Sequence, residues 1–237
     1  MTNITIDQTL AEVAKKLPAS LRILESFGLD YCCGGNRALG AACQTAGIDP
    51  HVLLDALRAS ESGPEPDWAS MDVVELVDQI EAAHHAYLHQ ELDRLSALSE
   101  KVSSKHSATH PELLEARAIY EKLSEDLKPH LAKEEHVLFP MIRELASSLD
   151  APVFHCGSLS NPISMMMLEH EETGEFLAQL RDVTNGYDTP SDGCRSFRAL
   201  YEGLAELETD THLHIHKENN LLFPAVIALE NSRLAQR

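Results

Sequence analysis

Histidine and glutamate recur in this chain at the spacing of one helical turn. HLAKEEHVLFP runs from His130 to Pro140 and HIHKENNLLFP from His214 to Pro224, so one phrase is written twice, 84 residues apart. A helix carries residues i and i+4 on the same face, so His130/Glu134 and His214/Glu218 each present an imidazole beside a carboxylate. Each pair is half of a metal site. The symmetry extends upstream: His85 precedes His130 by 45 residues and His170 precedes His214 by 44, and each has a leucine seven residues on, Leu92 and Leu177. Two helical hairpins related by a pseudo-twofold axis would aim four imidazoles and two carboxylates at one point. Six such groups buried together need a partner. If each carboxylate bridges, two ions receive two histidines apiece and keep open positions. That donor set is too rich in nitrogen for calcium or magnesium and suits a first-row transition metal. Iron is the first choice, with zinc and manganese as alternatives.

Other histidines compete for these roles. His84, His89, His136, His212 and His216 lie close by in sequence, and the repeat selects among them, since only His214 aligns with His130. Between His84 and His85 the hairpin spacing favours His85. His106 and His110 read as surface or supporting groups, and His51 and His155 as structural. Glu135, Glu169 and Glu171 read as solvated, with Glu169 also able to bond a ligand histidine and set its tautomer. The two Leu-Phe-Pro endings read as core packing followed by a helix break.

The elements that must position these groups are helices. Apolar residues at helical spacing run from Met71 to about Val102, from Pro111 to about Ala146, from Pro162 (capped by Asn161) to Asn185-Gly186, and from Pro190 to about Ala235. Pro129 falls inside the second and predicts a kink just before His130. Ahead of them, Thr5-x-x-Gln8 resembles a capping box for a helix through about Lys16. Pro18 suits the first turn of a second helix ending at Gly28, a third follows Asn36, and a fourth follows Asp49-Pro50. Between the second and third lies DYCCGGN, residues 30–36, and residues 61–70, ESGPEPDWAS, read as a linker. No run alternates polar and apolar residues as a strand would. The fold class is therefore all-α: a small N-terminal helical domain over 1–60, a linker over 61–70, and an antiparallel four-helix bundle over 71–237.

Charge excludes some partners. Thirty-eight acids against nineteen bases give −19, split as −4 over residues 1–69 and −15 over 70–237, which argues against a nucleic acid or an anionic membrane. There is no apolar run long enough to span a bilayer and no secretory leader pattern. Five cysteines, an odd number with two adjacent, fit a reducing compartment, so the cytoplasm is expected. Adjacent Cys32 and Cys33, followed by two glycines that free the backbone, are expected near a loop tip, where thiols can bind metal, exchange disulfides or take up nitric oxide. Cys43, Cys156 and Cys194 are expected to pack.

These motifs carry a resemblance over nearly the whole chain. The second segment resembles a haemerythrin-like domain. Its pairing with DYCCGG at 30–35 is similar to the iron–sulfur cluster repair di-iron proteins, also called repair-of-iron-centres proteins. DW at 67–68, KPHLAKEEHVLFP at 128–140, EH at 169–170 and HKENNLLFP at 216–224 continue it in order. The resemblance implies two non-haem iron ions held by His85, His130, His170 and His214 and bridged by Glu134, Glu218 and an oxo or hydroxo group. It implies damaged iron–sulfur proteins as partners, nitric oxide or oxygen as a diatomic ligand, a monomer or homodimer, and functional roles for Cys32 and Cys33. Oxygen-carrying haemerythrins resemble His-x-x-x-His on the third helix and His-x-x-x-x-Asp on the fourth, whereas here Gly174 and Asn219 stand at those positions. One imidazole is thus absent, and a more open iron is expected. The leading expectation is restoration of clusters damaged by nitric oxide or peroxide, by iron donation or by reaction of nitric oxide, with a nitric oxide reductase activity as one form. Alternatives are a sensor that holds nitric oxide or oxygen without turnover, and an iron-storing bundle.

Overall fold

The computed structural model describes residues 4–17, 19–59, 68–150 and 152–235. Pro18 and residues 61–67 of the expected linker lie outside them. Among the described residues there is no strand, only the isolated bridges Thr9–Ala38 and Phe154–Gly157.

Four short helices come first: α1 (Leu10–Lys16), α2 (Ser20–Ser26), α3 (Leu39–Ala46) and α4 (Pro50–Ala59). The opening cap is Thr9, not Thr5. Thr9 and Glu12 form the reciprocal capping box, while Gln8 accepts from the Thr5 N–H to close a turn ahead of the helix. Asp49 behaves as read, its carboxylate accepting from the His51 N–H at 2.9 Å. Leu10, Val13, Leu24, Leu39, Leu53 and Leu57 are wholly buried in a core that also takes in Ile215 from the bundle.

The bundle follows. Its first helix comprises Val73–Ile80, Glu81–His85 and Ala86–His106, and its second Glu112–Lys133, Glu134–Leu138 and Phe139–Ser147. The third is Ser160–Val183, and the fourth comprises Arg195–Lys217, Glu218–Leu222 and Phe223–Leu234. Each middle segment is a single π turn, in which the N–H of Ala86, Phe139 and Phe223 reaches back five residues to the carbonyl of Glu81, Glu134 and Glu218. Leu-Phe-Pro is therefore no helix break. A proline ring collides with the carbonyl four residues before it, here His136 or Asn220, and in both copies that carbonyl belongs to the widened turn. Pro129, in contrast, sits within a continuous α segment on an exposed face, where water can take the bond it removes. The irregularity expected there falls one turn later, at Glu134.

Two apolar clusters stack along the bundle. One joins the start of the first helix, the end of the second, the start of the third and the end of the fourth, through Leu76, Ile142, Ile163 and Val226. The other joins the remaining halves, through Leu88, Leu123, Leu177 and Leu207. That membership is an up-down-up-down order. On every helix the candidate ligands lie between the two clusters, so they form one polar layer sealed above and below.

The third helix shows where a local reading misleads. Asn161 sits inside its first turn and donates to the Cys156 carbonyl, while the cap comes from the end of the fourth helix. There, buried Glu230 accepts from the Leu159 N–H at 3.0 Å and from the Ser158 hydroxyl at 2.7 Å. The fourth helix starts at Arg195 because Pro190 opens a turn closed by the Gly193 N–H. We expect Glu230→Ala to cost about 1–3 kcal/mol in denaturant unfolding, since it orphans a buried N–H, and Asn161→Ala about 1 kcal/mol or less. Equal costs would contradict the assignment of the cap to Glu230.

Candidate metal centre

The four hairpin histidines and the two glutamates meet in the polar layer. His85, Glu134, His214 and Glu218 bring one ligand atom each within 4.8 Å of one another, and so do His130, Glu134, His170 and Glu218. Both glutamates belong to both groups. The Nε2 atoms of His85 and His214 are 3.2 Å apart, and those of His130 and His170 3.1 Å. Glu134 Oε2 lies 3.5 Å from His85 Nε2 and 3.4 Å from His130 Nε2; Glu218 Oε2 lies 3.2 Å from His170 Nε2 and 3.1 Å from His214 Nε2. Ligand atoms about 2.1 Å from a shared ion and roughly 90–110° apart stand about 3.0–3.4 Å from each other, so this is the spacing of a coordination shell.

Polar satisfaction points the same way. Glu134 and Glu218 are 0% exposed, and none of their four oxygens makes a hydrogen bond. Buried, ionised and unbonded carboxylates are costly unless a cation meets them. In the metal-free chain one partial answer is a proton. Burial opposes charge on His130, but Glu134, Glu169 and Glu218 outweigh it and push the imidazole up to about 10. Burial instead takes His214 down to about 4, and the surrounding His214 and His170 hold Glu218 well below the carboxylate range against its own burial. The donor set thus fits one or more metal ions.

Supporting contacts fix how the rings face. His85 Nδ1 meets Glu135 at 3.0 Å, His130 Nδ1 meets Glu169 at 2.8 Å, and His170 Nδ1 meets the Asn219 Oδ1 at 2.8 Å. With Nδ1–H donated outward, the Nε2 lone pair faces inward. Glu135 is therefore not a solvated residue; it also takes His89 at 2.8 Å. Glu169, also paired with Lys133, is held down to about 2, first by its bond from His130. Glu171 is exposed, as read. The repeat already contained half of this pattern: Glu135 and Asn219 each follow a centre glutamate, and each bonds the histidine of the preceding helix. The other half is broken, because Glu169 bonds His130 while its counterpart His84 stacks on His214 at 5.5 Å, leaving His214 Nδ1 without a partner. His84 faces away from the centre, with Nδ1 2.8 Å from Asp210 and Nε2 2.8 Å from the Lys217 Nζ, which lies 4.3 Å over the Trp68 ring. No sequence signal marked that buried cluster. His136 is exposed, and His216 is buried beside Tyr31.

Cys32 and Cys33 lie in the loop between α2 and α3, Cys32 buried and Cys33 half-buried. Asp30 Oδ1 accepts from the N–H groups of Cys32 and Cys33 and from the Cys32 thiol, and Oδ2 accepts from the Gly34 N–H. A Cβ on Gly34 would stand 2.9 Å from Asp30 Oδ2, and one on Gly35 2.7 Å from the Tyr31 carbonyl, so both glycines serve this tight wrap. The loop lies on the bundle. Asn220 donates to the carbonyls of Tyr31 and Cys32 at 3.3 Å, and the Cys33 thiol donates to the His170 carbonyl at 3.4 Å. Cys33 Sγ is 3.6 Å from where a Cβ on Gly174 would be, so the thiol covers the position that lacks a histidine. Of the other cysteines, Cys43 is buried, while Cys156 and Cys194 are half-buried and Cys194 lies 3.2 Å from His106 Nε2.

Comparison with known proteins agrees with this geometry. Residues 76–226 match the family described as Hemerythrin HHE cation binding domain, and residues 6–61 the one described as Domain of Unknown function (DUF542). The chain is 34% identical to the "Probable iron-sulfur cluster repair protein" of Haemophilus influenzae, over 93% of this chain and 96% of that protein. It is likewise 34% identical to the "Iron-sulfur cluster repair protein YtfE" of Escherichia coli O157:H7 and of Shigella boydii serotype 4, over 94% of this chain and 98% of each. No helix among the described residues is long and apolar enough to cross a membrane. With a cation-binding helical bundle behind a DUF542 segment and end-to-end similarity to these relatives, the chain belongs to the iron–sulfur cluster repair protein family.

Proposed function

We propose that this chain holds two non-haem iron ions and uses them to restore iron–sulfur clusters damaged by nitric oxide or peroxide, in the cytoplasm, meeting damaged iron–sulfur proteins as clients. His85 and His214 would serve one ion and His130 and His170 the other, with Glu134 and Glu218 bridging. The observation that carries this reading is the sharing of both unbonded glutamates by both histidine pairs. Iron held there supplies coordination positions and electrons for nitric oxide, and is itself a stock that a client can draw on. The chain's own residues do the rest. Glu135, Glu169 and Asn219 hold the imidazoles in the tautomer that offers Nε2 inward. The apolar clusters exclude water from two sides, and Gly174 leaves room for a small molecule or for Cys33. We read residues 1–60 as the unit that brings the cysteine pair to this opening, and 71–237 as the unit that holds the metal.

The deciding experiment is recovery of a nitric oxide-inactivated iron–sulfur enzyme by the iron-loaded chain under anaerobic conditions. Recovery is expected with the wild type and not with Glu134→Ala/Glu218→Ala; recovery by both would remove the centre from the mechanism. In competition with a chelator, Glu169→Ala should weaken iron binding roughly 10–100-fold by releasing the His130 ring, with helical circular dichroism unchanged. Gly174→Leu should crowd Cys33 off the His170 carbonyl, seen as faster alkylation of Cys33 by mass spectrometry. Gly174→Ala, at ordinary contact distance, should leave that rate near wild type. An unchanged rate in both variants would show that the thiol does not depend on the glycine.

A further inference from the structure

We propose that Asp30, Cys32 and Cys33 form a second cation site, separate from the histidine–glutamate centre, for a thiophilic divalent transition-metal ion such as ferrous iron. The two Sγ atoms are 3.8 Å apart, and Asp30 Oδ1 is 3.2 Å from Cys32 Sγ. Two thiolates about 2.3 Å from one tetrahedral ion stand about 3.8 Å apart, so the pair already has the separation of two ligands of a single metal. Adjacent cysteines reach that separation without the strain of a bond between them, and the three backbone N–H groups on Asp30 hold its carboxylate in place.

A second observation is independent of the thiols. They open on a cavity of about 480 Å³ between the N-terminal helices and the bundle, which brings Glu25, Glu171, Glu175 and Glu208 around the same space together with the His212 imidazole. That lining favours a cation over an anion, despite Arg181, which is paired with Glu208 at 3.0 Å. His212 offers a further nitrogen on the cavity wall. Gly174 and Cys33 both line the cavity, and the Cys33 thiol donates to the His170 carbonyl. The site therefore adjoins the helix turn that carries His170, one of the histidines of the centre.

Binding is an exchange of protons for metal. Two M–S bonds form, the two S–H protons leave to solvent, and the Asp30 oxygen released by the Cys32 S–H turns to the ion; no electron moves. Two thiolates are soft ligands, so the site selects an ion that grips sulfur strongly. Calcium and magnesium do not meet that condition. As a station between the centre and a client, the site would give departing iron its first sulfur ligands; that role rests on the proposed function, whereas the site itself does not.

Anaerobic titration of the reduced, metal-free chain with Co(II) tests it. Thiolate-bound cobalt gives an intense near-ultraviolet charge-transfer absorption that imidazole and carboxylate ligands do not. We expect this band in the wild type and in Glu134→Ala/Glu218→Ala, and its loss in Cys32→Ser and in Cys33→Ser. The visible bands of cobalt in the bundle should persist in the serine variants, which shows that they are folded. Cys33 is the half-buried member, so Cys33→Ser keeps the test open if Cys32→Ser fails to fold. Absence of the band, its survival in Cys33→Ser, or its loss with the two glutamates would overturn the site. A chain without the band that still restores a damaged enzyme would remove this site and leave the proposed function standing.

Discussion

Two carboxylates buried with no hydrogen bond to any of their oxygens set the terms for the rest of this fold. Glu134 and Glu218 lie between apolar clusters on both sides, and a four-helix bundle of this length would be easier to build with leucine at both positions. Left alone they are a charge defect of several kcal/mol per ion. The chain answers with four imidazoles, three of which are themselves anchored by Glu135, Glu169 and Asn219. A proton on His130 offsets part of the charge, and a pair of divalent ions would offset all of it. Metal binding and stability of the bundle are in that sense the same quantity, since a ligand that binds only the folded chain stabilises it by its own binding free energy.

The π turns follow from the same requirement. A regular helix repeats every 3.6 residues, so a residue aimed at the centre fixes the facing of every residue after it. Inserting one residue at Glu134–Leu138 and at Glu218–Leu222 resets that phase, letting Glu134 and Glu218 face the polar layer while Leu138, Phe139, Leu222 and Phe223 still enter the apolar cluster beyond. The turn at Glu81–His85 does this for His85 without a proline nearby. Proline is thus tolerated by the turn and is not its cause.

Much of the centre was legible because it is periodic. The i, i+4 pairs and the 45- and 44-residue intervals singled out His85, His130, His170, His214, Glu134 and Glu218, the residues that the structure brings together. What stayed hidden depends on contacts made far along the chain. Glu230 caps a helix 71 residues before it, Lys217 finds Gln79 and His84, and Asn220 meets a loop nearly the whole chain away. Helix ends were the least readable feature, for the same reason: at Thr9 a local capping box decided the boundary, whereas at Ser160 a distant carboxylate did. The facing of the CCGG loop was not readable, because glycine permits a turn in either direction and only the contacts of Asp30 fold it inward.

The asymmetry between the two hairpins carries the last step. In the first hairpin the residues after the centre glutamate are Glu135 and His136, and in the second they are Asn219 and Asn220. Glu135 and Asn219 do the same work on a histidine. Exposed His136 has no neighbour to hold, but Asn220 holds the carbonyls of Tyr31 and Cys32. Within one π turn, then, Glu218 belongs to the centre, Asn219 to the His170 ring and Asn220 to the cysteine loop. A centre carboxylate and the anchor of the cysteine loop thus stand two residues apart on one hydrogen-bonded turn. The haemerythrin-like bundle alone needs only the first two of these contacts. The third ties the cysteine loop to the bundle.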